Sequence, residues 1–255
     1  AAVAAGDASA LITAGNTGAS MVAAKMSFGM LEGIERPAIA TLFPTRTKSK
    51  VVVIDVGANV DCKPRHLVEF AIMGSVYAEY LLDIPRARVG LLNVGEERGK
   101  GNEIAKRTTE LLEKSPIHFV GNVEGRDILE GKSDVVVCDG FVGNIILKFG
   151  ESVAAFMKDF IKEEAKKRWT SMAGAALMRP VFEAFKRRTD PEEMGGAPLL
   201  GLKHTCIICH GGSSPRAIEH AARVANDFIK FGVNDKIRSR MAEVLAAVPS
   251  KEAWE

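Results

Sequence analysis

Cysteine is scarce in this chain: four residues, at positions 62, 138, 206 and 209 of 255. That is too few to staple a chain of this length, so a disulfide scaffold is excluded and a reducing, cytoplasmic compartment is expected. An excess of charge of one sign is also lacking. Lys and Arg number 34 against 32 Asp and Glu, a net charge of +2, so no global field points to nucleic acid or to a strongly acidic partner. No run of about 18 apolar residues occurs, and no membrane-spanning helix is expected. Ala1 to Ala14 carries no basic segment, so a secretory signal is not expected either. Repeats of fixed period and low-complexity linkers are missing. What remains is an ordinary globular composition, 47% apolar and 26% charged, long enough for one large or two small domains.

One pattern recurs along the chain. Short apolar runs at 10–12, 51–54, 89–92, 117–120, 135–138 and 206–209 each lead into a turn rich in Gly, Asn or Asp. Unbroken apolar runs suit strands buried on both faces. Helical patterns are predicted over 67–82, 101–114, 144–168 and 215–231, and strands alternating with helices predict a mostly parallel α/β sheet. In such sheets ligands sit outside the carboxyl ends of the strands. The six polar turns are therefore expected at one edge, forming one polar site. The end of the chain after Val248 is expected to fray.

These turns suit anion chemistry. Glycines let the backbone approach a ligand, successive N–H groups make anion-binding nests, and a helix starting at the turn adds its positive end. Lys100, between Gly99 and Gly101, could grip phosphate as a point charge or lie on a solvated loop. The spacing is not that of a P-loop, and no dinucleotide fingerprint is present. Cys206-Ile207-Ile208-Cys209-His210 matches the haem c attachment pattern literally, but in a strand positions 206 and 209 point to opposite faces, so haem and zinc are both rejected. His210, at a strand end beside glycines, is open between a site role and a structural hydrogen bond. Asp55 and Asp139 each close a strand and either hold the following turn or orient a catalytic group.

The stretch 158–188 breaks the rhythm. It carries nine basic residues and four acidic ones. Trp169, Met172, Leu177, Val181 and Phe182 lie between the basic ends, and Arg179-Pro180 marks a break, which predicts a protruding helical hairpin. An apolar patch with a basic margin suits an anionic membrane surface, or packs on the core or in a dimer.

Together, several motifs resemble the bacterial phosphate acyltransferase family PlsX, acyl-acyl-carrier-protein:phosphate acyltransferase. They are Ala14-Gly15-Asn16-Thr17-Gly18-Ala19, Gly33-Ile34-Glu35-Arg36-Pro37-Ala38, Asp55-Val56-Gly57-Ala58-Asn59-Val60-Asp61-Cys62-Lys63-Pro64, Lys100-Gly101-Asn102-Glu103, Gly121-Asn122-Val123-Glu124, Asp139-Gly140-Phe141-Val142-Gly143-Asn144 and Gly195-Gly196-Ala197-Pro198-Leu199-Leu200-Gly201. The resemblance implies a Rossmann-like α/β/α sandwich similar to the isocitrate/isopropylmalate dehydrogenase class, spanning 1–255 as one domain. It implies transfer of a fatty acyl group from acyl carrier protein to inorganic phosphate for phospholipid synthesis, without cofactor or metal, by a homodimer docked on the inner face of the cell membrane. Lys100 and Asn144 become the catalytic pair. Gly15, Asn16, Thr17, Gly18, Asp55, Gly57, Asn59, Asp139, Gly143 and His210 become the phosphate and substrate rim, and the hairpin residues become the membrane dock. The family opens with a strand and a Met-Gly-Gly-Asp turn that this sequence does not contain, so an N-terminally incomplete sheet is expected, and Thr13 stands where the family has Ser. An acyl-CoA phosphate acetyltransferase and a non-catalytic membrane scaffold are the alternatives.

Overall fold

The computed structural model describes residues 2–47, 49–189 and 196–247. Each of the six apolar runs overlaps a strand: Ala10–Thr13 (β1), Lys50–Ile54 (β3), Val89–Leu92 (β4), Phe119–Val123 (β5), Val135–Val137 (β6) and Thr205–Ile208 (β8), although at β5 the expected turn residues Gly121 and Asn122 lie within the strand. Two more strands, Ala38–Pro44 (β2) and Ala197–Leu200 (β7), complete an eight-stranded sheet in the order β1-β8-β7-β2-β3-β6-β4-β5.

The strand period of two divides the side chains between two faces. Val52 and Ile54 of β3 join one buried cluster with Val135 and Val137 of β6, while Val51, Val53 and Val136 join the other. Cys206 and Cys209 likewise fall in different clusters. Both faces are covered by helices, giving three layers. Pro64–Leu81 (α3) lies against β3 and β6 and is buried from Leu67 to Ala78, as expected of a helix apolar nearly all round. It is covered in turn by Glu103–Lys114 (α4) and Val233–Ala247 (α10). On the other half of the sheet, Thr17–Phe28 (α2) and Pro215–Lys230 (α9) take opposite faces, with Ala24 and Phe28 beside Cys206, and Ala221 and Ala225 beside Ile207.

The sheet is mixed in a way that the apolar runs do not reveal. β1–β8, β3–β6, β6–β4 and β4–β5 pair in parallel, whereas β8–β7, β7–β2 and β2–β3 are antiparallel. The two parallel blocks therefore run in opposite directions. The expectation of one polar edge is corrected: the turns after β3, β4 and β6 leave one end of the sheet, and those after β1 and β8 leave the other. The physical reason is the inserted pair β2 and β7, which reverses the direction between the blocks.

The long helix Gly140–Lys166 (α6) starts at the end of β6, after a short helix Gly125–Glu130 (α5) and β6 itself. By length and composition it could cross a membrane, although no unbroken apolar run marks it. Its exposed apolar residues Phe141, Ile145, Phe149, Val153, Phe156 and Phe160 follow helical spacing on one stripe. Trp169–Leu177 (α7) and Arg179–Thr189 (α8) return along its carboxyl half. The chain breaks at 167–168 as well as at Met178, so the predicted two-helix hairpin is three helical segments. Pro180 sits in the first turn of α8, where its missing N–H costs no helical bond. Gly195 and the tail after Val248 lie outside the described residues.

Candidate active site

Asp55 follows directly on β3 and is fully buried. Its Oδ1 accepts from the N–H groups of Ile39 at 3.1 Å, Gly57 at 3.2 Å and Ala58 at 2.9 Å. Its Oδ2 accepts from Asn59 N–H at 2.7 Å and from Asn59 Nδ2 at 2.8 Å. Burial raises its pKa, and these bonds pull the other way. With every lone-pair direction taken, Asp55 shapes the 55–59 turn and does not reach a substrate. Asn59 is the hub of the neighbouring segments. Its Nδ2 donates to Pro37 O at 2.7 Å, and its own carbonyl accepts from Gly140 N–H at 2.7 Å. Gly57 takes φ +138° in this turn, a conformation that favours glycine.

The head of α6 locks into this hub. Asp139 is its N-cap, with Oδ1 accepting from Val142 N–H at 2.8 Å. A Cβ at Gly143 would lie 1.9 Å from Asp55 O, so only glycine allows the close approach. Asn144 then sits over the turn, its Oδ1 3.6 Å from where a Gly57 Cβ would be. A helical side chain leans toward the N-terminus, which carries the Asn144 amide over the first turn of α6. In that turn Gly140, Val142 and Gly143 N–H groups have acceptors. Phe141 N–H has none among the described residues, which the sequence did not single out. A side-chain amide and a main-chain N–H at a helix N-terminus form a donor pair of the kind that stabilises an oxyanion.

Lys100 belongs to the loop after β4, which neighbours β6 in parallel, so the Lys100 and Asn144 loops leave the same end of adjacent strands. Asn93, in the turn that follows β4, closes this loop: Nδ2 donates to Lys100 O at 3.0 Å, and Oδ1 accepts from Val94 N–H at 2.8 Å. Asn122 Nδ2 donates to Glu97 O at 3.1 Å from β5. Asn102 caps α4 through Ala105 N–H at 2.9 Å. Of the other loop charges, Glu96 pairs with Lys132 and Arg126 and Arg98 with Glu113, while the Glu97 carboxylate has no ion pair among the described residues. Lys100 is exposed, its stem against Gly95, and its ammonium has no partner among the described residues.

The second group of turns lies on β1 and β8. Cys209 N–H donates to Thr13 O at 2.7 Å, joining them. Asn16 caps α2 through Ala19 N–H at 3.0 Å, and Ser214 caps α9 through Ala217 N–H at 3.3 Å. Gly15, Thr17 and Gly18 surround the start of α2. His210 Nδ1 accepts from Gly212 N–H at 3.1 Å, so its proton is on Nε2. Two helix N-termini thus flank glycine-rich turns, a setting suited to an anion. The hydrogen bonds described here join each group within itself and do not join one group to the other.

The cysteines are free thiols. Burial pushes Cys62 up to about 12 and Cys206 up to about 11, and Cys138 is also raised, so none is a ready nucleophile. Among the described residues no group of three or more His, Cys, Asp or Glu is placed to hold a metal. In the hairpin, Trp169, Met172, Leu177 and Val181 are exposed and Phe182 is half-buried. α6, α7 and α8 enclose a groove of about 790 Å³, lined by apolar residues including Ile161, Met172 and Phe182 and rimmed by Lys158, Lys162 and Lys166.

Residues 1–236 match the family described as "Fatty acid synthesis protein". A phosphate acyltransferase of Acidobacterium capsulatum is 49% identical over 230 residues, covering 90% of this chain and 68% of its own length. A phosphate acyltransferase of Aquifex aeolicus is 50% identical over 232 residues, covering 91% and 68%. Among solved structures, a branched-chain phosphotransacylase from Enterococcus faecalis shares the fold with TM-score 0.60 at 15% identity, covering 90% of this chain and 77% of its own. A phosphotransacetylase from Streptococcus pyogenes does so with TM-score 0.53 at 15% identity, covering 98% and 66%. The chain spans about two thirds of the length of the curated relatives named here. With this fold and this sequence likeness, the chain belongs to the family of phosphate acyltransferases, acyltransferases that use phosphate as the acceptor.

Proposed function

We propose that this chain transfers a fatty acyl group from the thioester of acyl carrier protein to inorganic phosphate, forming acyl phosphate for phospholipid synthesis. The observation that carries this reading is the Asn144 amide held over the 55–59 turn at the head of α6, beside the Lys100 loop. Phosphate is already an anionic nucleophile at neutral pH and needs positioning more than deprotonation. Its oxygen attacks the thioester carbonyl, the C–O bond forms, and the C–S bond breaks to release the carrier thiolate. Lys100 steadies the incoming phosphate or the developing oxyanion. Asn144 and the Phe141 N–H orient and polarise the carbonyl. Asp55, Asn59, Asp139, Gly57 and Gly143 act by holding these groups in place. The turns with Gly15, Asn16, Thr17, Gly18 and His210 leave the other end of the sheet; they form a separate candidate anion-binding group and are given no part in this step.

The apolar stripe of α6 supports a path for the acyl chain away from the carbonyl site, since 27 residues of helix extend about 40 Å. It equally supports a homodimer, because an uncovered stripe of this length invites a partner helix. A monomeric mass in sedimentation equilibrium at every concentration would refute that assembly. The exposed Trp169, Leu177 and Val181 with nearby lysines support docking on the cytoplasmic face of an anionic membrane. We take 1–255 as one α/β unit with 158–188 as its projecting hairpin.

The test is acyl phosphate formation from palmitoyl carrier protein and inorganic phosphate. Lys100→Ala and Asn144→Ala should each lower kcat by about 100-fold or more with the fold intact, as for loss of one oxyanion donor. A near-normal rate in either variant removes that residue from the chemistry. Faster turnover of palmitoyl-CoA than of the carrier thioester would redirect the reading to a CoA enzyme, and vesicle binding without acyl phosphate would leave a scaffold.

A further inference from the structure

The motif Gly121-Asn122-Val123-Glu124 has no part in the chemistry above, and the loop that carries Lys100 has almost nothing apolar to hold it. Of residues 94–100 only Gly95 is buried, and the others are exposed. The position of this loop therefore depends on its polar ties. The ion pairs of Glu96 and Arg98 join exposed side chains and are weak ties. The main chain is held more directly. Lys100 N–H donates to Glu97 O at 3.0 Å, and Lys100 O accepts from Asn93 Nδ2 at 3.0 Å. Both main-chain polar groups of Lys100 are thus engaged, and whatever fixes Glu97 O also fixes the start of the Lys100 turn.

Asn122 fixes it from within the sheet. It stands on β5, the last strand in the sheet order, in register with Leu91 of β4, and its side chain is buried. Its Nδ2 donates to Glu97 O at 3.1 Å, so that one carbonyl takes two donors, the Asn122 amide and the Lys100 N–H. The other end of the amide is bonded as well. Oδ1 lies 3.3 Å from the Thr109 hydroxyl, which also bonds Ala105 O at 3.0 Å. Turning the amide over would set two oxygens against each other at Glu97, so its orientation is fixed. An amide is costly to bury unless both ends are bonded, and here both are. Thr109 and Ala105 belong to α4, which starts directly after the loop with Asn102 as its cap. Asn122 is therefore the point where β5, α4 and the Lys100 loop are joined.

We propose that Asn122 is a positioning residue for Lys100. By holding Glu97 O to the edge of the sheet, it keeps the Lys100 turn at the end of β4, the strand beside β6 and the head of α6. This inference rests on the acyl-transfer reading, in which Lys100 meets phosphate or the developing oxyanion, and it names what holds that residue in place. Asn122 itself touches no substrate. Without its amide, Glu97 O is released from the sheet and the Lys100 turn remains tied through Asn93, so the ammonium spends less time where the reaction needs it.

A double-mutant cycle on the full chain separates positioning from general support of the fold. Asn122→Ala should lower kcat/KM for acyl phosphate formation by about tenfold or more when Lys100 is present. In the Lys100→Ala chain, where no ammonium is left to misplace, the same change should cost less than about twofold. A residue that only supports the fold lowers both chains by the same factor; that result overturns the proposal, as does an unchanged rate in Asn122→Ala. Asn122→Ser keeps a polar atom in the pocket but is one bond too short to reach Glu97 O. It should show the same loss, and it carries the cycle if the alanine variant does not fold. Native-state digestion with trypsin reads the tie without turnover. The initial rate of cleavage after Arg98 and Lys100 should rise by about tenfold or more in either variant, while cleavage in the hairpin keeps its wild-type rate. Unchanged cleavage in the loop overturns the proposal. An inactive wild-type chain, or a Lys100→Ala chain as fast as wild type, defeats the acyl-transfer reading instead, and the digestion then still decides whether Asn122 holds the loop.

Discussion

Gly143→Ala tests the contact on which the whole site is assembled. The added Cβ would lie 1.9 Å from the Asp55 carbonyl oxygen, 2.9 Å from the Asp55 carbonyl carbon and 3.0 Å from Cys138 Sγ. The nearest obstacles are backbone, so no flexible side chain can swing away. Reaching ordinary van der Waals contact requires α6 and the end of β3 to separate by about 1.5 Å. Overpacking of this kind costs about 1–3 kcal/mol. The same movement strains the Asp55 N–H to Cys138 O bond at 3.1 Å and the Gly140 N–H to Asn59 O bond at 2.7 Å, each worth about 1 kcal/mol. Alanine returns about 0.5–1 kcal/mol of helix propensity and unfolded-state entropy. The net is a loss of about 3 kcal/mol, or about 6–12 °C in Tm for a chain of this size. Because Asn144 follows directly, acyl phosphate formation should fall with stability. Gly174→Ala is the matched control: it sits inside α7 with nothing within 4 Å of the added Cβ. It carries the same propensity gain without the clash, so it should raise stability by about 0.5–1 kcal/mol. Urea unfolding of both variants, with m-values compared, measures the difference. A Gly143→Ala protein with wild-type midpoint and wild-type turnover would refute the close-packed hub.

Two further outcomes are expected. Burial, chiefly, holds the His66 pKa below its ordinary value of 6.5, so the unfolded chain takes up this proton before the folded one does. Stability from this residue is present above about pH 6.5 and is lost as the pH falls toward the folded-state pKa. Urea midpoints between pH 7.5 and 5.5 should therefore fall more steeply in the wild type than in His66→Gln, and parallel curves would contradict this. Leu177→Glu combined with Phe182→Glu should abolish co-sedimentation with anionic vesicles while leaving soluble acyl transfer measurable. Retained vesicle binding would exclude the hairpin as the dock.

Much of this protein is legible in its sequence because the determining interactions are local. Apolar runs such as 51–54 and 135–137 are strands since only a strand buried on both faces tolerates valine at every position. Asn16, Asn102, Asp139 and Ser214 precede helices because a short polar side chain satisfies the free N–H groups of a first turn. The Lys100 and Asn144 segments could be singled out from their motifs, and the fold carries them on adjacent parallel strands. The direction of the strands was decided only in three dimensions. β2 and β7 carry no turn signal distinguishing antiparallel from parallel pairing, because that choice depends on which strand lies alongside, not on the residues within it. They divide the expected single polar edge into two. The surroundings of Asp55 and Asn59 were also decided by tertiary packing: either could have faced open solvent, and the fold instead buries both and directs five hydrogen bonds to the one carboxylate. The Phe141 N–H escaped notice for the converse reason. What marks it is a missing partner, and a sequence does not record which groups the fold leaves unpaired.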